Sequence, residues 1–259
     1  MKIIGINYLS ESSVCLLENG IIKQIGKIKK TDFDLTIDCT NKIITTGFTD
    51  IYSNFRDPGD NSIETLLSGA SAAMAGGYSR VCISPNTSPV LDSKESIRYI
   101  YEKSKSAPIQ VYPIGAITKD TKGEELSEIG GMVEAGAIAI SDGENSVQNS
   151  QIMRYALEYS KKFNIRLINL PEDLNLSNNG VMNESVFSTR FGLPGVPFIA
   201  ETIMANRDIN LSKFTNGKIH IPHVSSLETI KLMKEVSKKI PILWSPNMSI
   251  GANLLKEIA

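Results

Sequence analysis

Apolar and polar positions alternate in two different textures along the chain. Up to about residue 46, short β-prone runs at residues 2–8, 13–17, 21–25, 35–37 and 42–44 are split by turn formers such as Glu18-Asn19-Gly20. No helical period runs through this part, which predicts a small β-sandwich unit over residues 1–46. From Gly47 the pattern changes to strand-length apolar runs alternating with stretches of 3.6-residue period. The first strand leads into Asp50-Ile51-Tyr52-Ser53-Asn54-Phe55-Arg56-Asp57-Pro58-Gly59, and further strands are predicted at residues 80–84, 109–114, 137–140, 165–169, 218–223 and 240–244. Between them lie helices with recognisable ends. Asn61 and Glu64 have capping-box spacing ahead of Ile63, Leu66, Leu67, Ala70 and Met74, and Gly76-Gly77 stops that helix. Asp92 and Glu95 are spaced to cap a helix bearing Ile97, Ile100 and Tyr101, and Asn149 one bearing Ile152, Met153, Ala156 and Leu157. Ser225 and Glu228 introduce Ile230, Met233 and Val236, and Lys238-Lys239 suits the negative end of that helix dipole.

Seven strand–helix repeats after a β unit predict an α/β fold. The architecture expected is a (β/α)8 TIM-like barrel over residues 47–259, with the last repeat missing from this chain. An open barrel exposes an edge and apolar core, so one reading is that the chain is a piece of a longer one. No GxGxxG or GxxxxGK[ST] loop follows any strand, which disfavours a nucleotide-binding sheet. Barrel enzymes carry their chemistry at the C-terminal ends of the strands. That directs attention to Asp50–Gly59, where strict alternation would put Tyr52, Asn54 and Arg56 on one face.

Composition narrows the function classes. The chain has 259 residues, 41% of them hydrophobic, and a formal net charge of −1 without a basic stripe, so nucleic-acid binding has no support. No window approaches the roughly 18 apolar residues of a membrane span. Cys15, Cys39 and Cys82 form no CxxC pattern, which points to ordinary thiols in a reducing, cytoplasmic setting.

An ordered series of motifs then carries a family resemblance. Phe55-Arg56-Asp57-Pro58-Gly59, Ala75-Gly76-Gly77-Tyr78 and Pro85-Asn86-Thr87-Ser88-Pro89-Val90 resemble the start of a dihydroorotase of the amidohydrolase superfamily. Ser141-Asp142-Gly143, Pro171-Glu172-Asp173, Gly192-Leu193-Pro194-Gly195-Val196-Pro197, Arg207-Asp208 and His223-Val224-Ser225-Ser226 continue it in the family's order. The resemblance implies a zinc-dependent barrel enzyme of pyrimidine biosynthesis that interconverts carbamoyl-aspartate and dihydroorotate. It implies that Arg56 and Asn86 hold the substrate carboxylate. Of the family's metal positions, Asp142 and His223 match, whereas Tyr52, Asn54 and Leu170 stand where the family has histidine. The family's Pro-His-His after strand seven reads Pro246-Asn247-Met248, and the position of its catalytic Asp lies beyond Ala259.

These replacements bear on the chemistry. Opening an unactivated amide at neutral pH needs a strong nucleophile, and a bound metal supplies one by lowering the pKa of water from about 15.7 to about 7. Zinc takes three or more donors from His, Cys or carboxylate; Leu170 has no donor atom, and Tyr52 and Asn54 are poor replacements for imidazole. His220, the other histidine, lies three residues from His223, so a regular strand points the two to opposite faces. Asp142 and His223 are therefore expected to be vestigial, no metal cofactor is expected, and no catalytic residue is assigned. The chain is expected to be a non-catalytic, homo-oligomeric binding or scaffold module, and the resemblance implies aspartate transcarbamoylase as the partner. The alternative is an active cyclic amidohydrolase with an atypical metal set from Asp142, His223 and Glu172. Plainer roles stand beside these: Arg56 paired with Asp57 or Asp50, Asn86 shaping a turn, Asp142 in turn chemistry, His223 as a hydrogen-bonded mouth residue, and Glu172-Asp173 capping a turn. Cys82 and Trp244 are expected to pack.

Overall fold

The computed structural model describes residues 14–18, 21–26, 35–39 and 46–243. Strand β1 (Val14–Glu18) pairs antiparallel with β2 (Ile21–Gly26), and the register shifts between Leu16 and Leu17. The apolar run at residues 35–37 is not a strand, and Leu35 and Ile37 are exposed. The runs at residues 2–8 and 42–44 lie outside the described residues.

The following strands and helices alternate as the periodicity predicts: β3 (Phe48–Ser53), α1 (Leu66–Ala75), β4 (Tyr78–Ile83), α2 (Lys94–Ser104), β5 (Gln110–Gly115), α3 (Ile129–Glu134), β6 (Ala139–Ser141), α4 (Ser150–Lys162) and β7 (Arg166–Ile168). Then come α5 (Leu174–Ser177), β8 (Met182–Asn183), α6 (Val186–Phe191), β9 (Gly195–Val196), α7 (Phe198–Thr215), β10 (Ile219–His220) and α8 (Leu227–Val236). Among the described residues β3, β4, β5, β6, β7 and β10 form one six-stranded parallel sheet in chain order, while β8 and β9 pair separately. Among the described residues the result is a curled half-barrel. The predicted seventh strand is a correction: residues 240–243 are not in a strand, and Trp244 lies outside the described residues.

Period-two alternation divides the sheet into two faces. Val81, Ile83, Val111, Ile140 and Leu167 pack with Leu66, Ile97, Ile100, Met132, Met153 and Leu157 from the helices. Each fully buried aliphatic side chain there contributes about 1.5–3 kcal/mol. Cys82, Ile114 and Ala139, with Tyr52, Tyr112 and Ile168 packed against them, form the second cluster on the concave face. Burial there, with a smaller push from Asp50, raises the Cys82 thiol to about 11, consistent with a packing role.

Local caps differ from the expected ones by a few residues. Thr65 and Ser68, not Asn61 and Glu64, make the capping box of α1, and Ser93 with Ser96 replaces Asp92 with Glu95 at α2. Serine and threonine hydroxyls serve both positions of the box, a pattern that a search for a distal Glu passes over. Asn149 caps α4 as expected, Asp173 caps α5, and α8 starts on Ser226, one residue after the predicted Ser225. The longest helix among the described residues, α7, was not anticipated. Its buried Ala200, Met204, Ala205 and Ile209 are interspersed with exposed Phe198, Ile199 and Ile203, which blurs its amphipathic period.

One buried carboxylate ties the first two repeats. Asp57 accepts a hydrogen bond from the Leu66 backbone N–H (2.6 Å), opening α1, and from Lys103 Nζ of α2 (2.7 Å). Removing it strands the buried Leu66 N–H and leaves the partly exposed Lys103 ammonium with the Tyr99 hydroxyl alone. Asp57→Ala is expected to destabilise the fold by about 2–4 kcal/mol in urea unfolding, and Lys103→Met by less, because Met keeps the stem's packing.

Candidate functional site

The loops leaving the C-terminal ends of β3 and β4 are joined by backbone hydrogen bonds. Ser84 N–H donates to Ser53 O at 2.8 Å and Ser88 N–H to Pro58 O at 2.9 Å. The loop after β6 closes the same corner, because Gly143 lies directly against the Asn86 side chain.

The expected common face of Tyr52, Asn54 and Arg56 does not form. Strand β3 ends at Ser53, and Arg56 has φ 55°, in the left-handed region. Two inward anchors explain the turn: Phe55 is buried against Gly69 of α1, and Asp57 reaches the start of that helix. Asn54 and Arg56, between and beside them, are left exposed. The plain pairings for Arg56 fail too. Asp57 is held by Lys103 and Leu66, and Asp50 accepts from Tyr52 N–H (2.9 Å) and Ser53 Oγ (2.8 Å). Arg56 makes no hydrogen bond or ion pair with the described residues. Its charge is felt at Asp60, whose carboxyl is lowered chiefly by hydrogen bonds from Ser62 and least by Arg56.

Asn86 is half-buried and held through its oxygen. Ser84 Oγ donates to Asn86 Oδ1 at 2.7 Å, the Asn86 backbone N–H reaches Ser84 Oγ at 3.2 Å, and the Tyr52 hydroxyl lies 3.2 Å from the same Oγ. Nδ2 of Asn86 makes no hydrogen bond with the described residues. Tyr52 itself is raised above its ordinary value by burial first, against the Ser84 hydrogen bond, with Glu144 adding a smaller push upward. Gly143 sits at φ +66°, and a Cβ there would overlap Asn86 Oδ1.

The two residues matching the family's metal positions are engaged differently. The buried Asp142 carboxylate accepts from Ile117 N–H (2.8 Å) and Thr118 N–H (2.9 Å) through Oδ1 and from the Thr118 hydroxyl through Oδ2. Burial raises its pKa, with those three hydrogen bonds opposing. His223 is exposed at φ 56°, beyond the end of β10, with its ring edge-on to Tyr52 at 6.5 Å between centroids. The predicted strand to residue 223 is thus shortened to Ile219–His220. Leu170 is half-buried and offers no donor atom. Zinc needs a convergent set of donors. Among the described residues no group of three or more His, Cys, Asp and Glu side chains could hold a metal, so Asp142, His223 and Glu172 do not assemble as one. The described residues do not by themselves form the donor set that the zinc implied by the resemblance needs.

Two polar arrangements escaped sequence reading. Glu201, in the first turn of α7, accepts from Ser225 N–H, Ser225 Oγ and Ser226 N–H, and so fixes the loop that carries His223. Burial pushes the Glu201 carboxyl up, but the hydrogen bonds from residues 225, 226 and 229 outweigh it and leave it lowered. Asn169 accepts from Val147 N–H at 3.0 Å and donates to the buried Asp208 at 2.7 Å, which Arg207 Nε also approaches at 2.8 Å. Arg207-Asp208 carried a signal as one of the ordered motifs; Glu201 and Asn169 carried none.

The curled parallel sheet is similar in fold to that of solved hydantoinases. L-hydantoinase from Arthrobacter aurescens superposes with a TM-score of 0.71 at 16% identity, over 88% of this chain and 52% of that one. D-hydantoinase from Thermus sp. gives 0.64 at 18% identity, over 88% and 52%. These likenesses concern the fold. The family itself is defined by sequence: the chain belongs to the family described as Dihydro-orotase-like, which matches residues 41–229. It is 45% identical over 226 residues to the dihydroorotase of Acetivibrio thermocellus, covering 86% of this chain and 53% of the relative. It is 42% identical over 226 residues to that of Geobacter metallireducens, with the same coverage. The chain spans about half the length of the curated relatives it matches.

Gly143→Ala is expected to destabilise the protein by about 1–3 kcal/mol in urea unfolding, since an added methyl meets Asn86 and the backbone is left-handed. A pH effect is expected at His220. Burial, with smaller contributions from His223 and Arg166, lowers its pKa, so the folded state holds the neutral ring. The unfolded chain then binds the proton more tightly, and stability is lost as pH falls below the ordinary value of about 6.5. His220→Gln is expected to flatten that part of the stability–pH curve measured by chemical denaturation.

Proposed function

We propose that this chain is a dihydroorotase-like module of pyrimidine biosynthesis that lacks metal-dependent catalysis and keeps a carboxylate-binding corner at Arg56 and Asn86. The observation that carries the reading is an imbalance of partners. Arg56 and Asn86 Nδ2 are donors with no partner among the described residues, on loops joined by hydrogen bonds. The acidic residue at the matching metal position, Asp142, already has three donors. A planar guanidinium and an amide N–H2 are each suited to a carboxylate. The ligand is then dihydroorotate or carbamoyl-aspartate, bound without a metal cofactor and without turnover.

In this reading the small β unit (1–46) and the barrel part (47–259) act as a cytoplasmic, homo-oligomeric scaffold for aspartate transcarbamoylase. The competing reading, an active amidohydrolase with Asp142, His223 and Glu172 as ligands, requires Asp142 to release the three donors it now holds.

Calorimetric titration separates the two. Wild type is expected to bind one of the two compounds, Arg56→Ala to bind it about 10–100-fold more weakly, as loss of a charged hydrogen bond predicts, and neither to convert it. Equal affinity in wild type and Arg56→Ala would retire the carboxylate corner. Stoichiometric zinc with turnover would retire the non-catalytic reading. Affinity capture from the native cell is expected to recover aspartate transcarbamoylase, and repeated failure would remove that partner.

A further inference from the structure

Tyr52 stands where the family has a histidine ligand, yet it is neither idle nor merely packed. Its hydroxyl, the Ser84 hydroxyl and the Asn86 amide form a continuous chain: Tyr52 Oη to Ser84 Oγ at 3.2 Å, then Ser84 Oγ to Asn86 Oδ1 at 2.7 Å. We propose that Tyr52 is a positioning residue, acting through Ser84 to fix the Asn86 side-chain amide with its oxygen inward and its Nδ2 hydrogens free to meet an anion. This rests on the carboxylate-binding reading above and adds the group that sets the polarity of the site.

Hydrogen-bond accounting gives the direction. A serine hydroxyl has one proton and two lone pairs. The proton of Ser84 goes to Asn86 Oδ1, and one lone pair accepts the Asn86 backbone N–H. The remaining lone pair is left for the Tyr52 hydroxyl, so the chain runs from Tyr52 to Ser84 to Asn86. Ser84 is buried, which keeps solvent from supplying a substitute for Tyr52.

The consequence concerns which end of the amide faces outward. An asparagine amide has similar shape at both ends but opposite polarity. With Tyr52 donating, both lone pairs of Ser84 are filled and only its proton is left to offer, so it selects Oδ1. Without Tyr52, a lone pair of Ser84 becomes free to accept from Nδ2. The amide can then turn over and present Oδ1, which repels a carboxylate. The seat on Gly143 limits other escapes, since Asn86 lies directly against that Cα. The His223 ring, edge-on to Tyr52, adds a second contact to the phenol.

The test combines a spectroscopic and a binding readout on the full chain. In 15N-labelled protein, the Asn86 side-chain NH2 pair is identified by its loss in Asn86→Asp. Tyr52→Phe is expected to move that pair while leaving the urea midpoint close to wild type, and to weaken carbamoyl-aspartate or dihydroorotate binding about tenfold. In an Asn86→Ala background the same change is expected to have no further effect on affinity, the signature of action through Asn86. Ser84→Ala cuts the chain at its middle and is expected to reproduce both changes, which keeps the test open if Tyr52→Phe folds poorly. Unmoved Asn86 resonances with unchanged affinity would overturn the proposal. If wild type binds neither compound and Tyr52→Phe still moves the Asn86 pair, the positioning role stands and the carboxylate reading falls.

Discussion

A carboxylate removed from water must find donors, and the rim of this half-barrel is organised by that requirement. Asp142 finds three on one neighbouring loop: two backbone N–H groups and the Thr118 hydroxyl. The effect spreads, because the Thr118 hydroxyl oxygen also accepts from Gly123 N–H, and Thr121 N–H returns to Thr118 O. The connections after β5 and β6 are thereby one hydrogen-bonded body. Asp57 does the same for α1 and α2, and Glu201 for the segment between β10 and α8. Irregular loops at strand ends are rich in backbone donors, and leaving such donors buried and unpaired costs more than the net gain of pairing them. In each of these three places an acidic side chain answers that demand. An oxygen so engaged is a poor candidate for a cation, since a metal would have to replace several short bonds at once.

Much of the architecture was legible because period-two and period-3.6 patterns report burial, and burial is local to each element. The six strands that form the parallel sheet fall where apolar runs predicted them, and Asn149 at the head of α4 acts as its chemistry suggests. The failures have specific causes. Residues 52, 54 and 56 could not be assigned one face from spacing, because Phe55 and Asp57 are each drawn inward by groups on later helices, Gly69, Leu66 and Lys103. Helix α7 has apolar residues on both its buried and its exposed sides, so its period is faint. Residues 240–243 look like a strand as an apolar run but have no strand assignment here, and a strand exists only with a neighbour to pair with.

The candidate site divides in a similar way. Ordered motifs led to the family and to Arg56 and Asn86, because those residues sit in short recognisable strings. Contacts between strings are invisible at that level. Asn86 and Gly143 belong to different motifs after different strands, yet the glycine is required by the approach of the asparagine. Tyr52 read as a loss, a histidine position without histidine. In three dimensions its hydroxyl meets Ser84, and through Ser84 the Asn86 amide. A residue that differs from the family's motif can thus make a hydrogen bond that the motif does not announce, and only coordinates reveal which.

That separation bears on how a site can change in parts. The supports of the Arg56–Asn86 corner are the Pro58–Ser88 backbone bond, the Ser84 hydroxyl and the bare Cα of Gly143, and none of them needs a metal to stay in place. On the proposed reading, replacing imidazole at positions 52, 54 and 170 removes the nucleophile-generating half of the chemistry without loosening the anion-holding half. The reverse change would be harder, since Arg56 in a left-handed turn depends on Phe55 and Asp57 being buried on either side. Those two anchors also hold α1, so altering them disturbs the first repeat as a whole. On the proposed reading, the corner persists because its geometry is a by-product of fold stability, whereas the metal ligands had only catalysis to retain them.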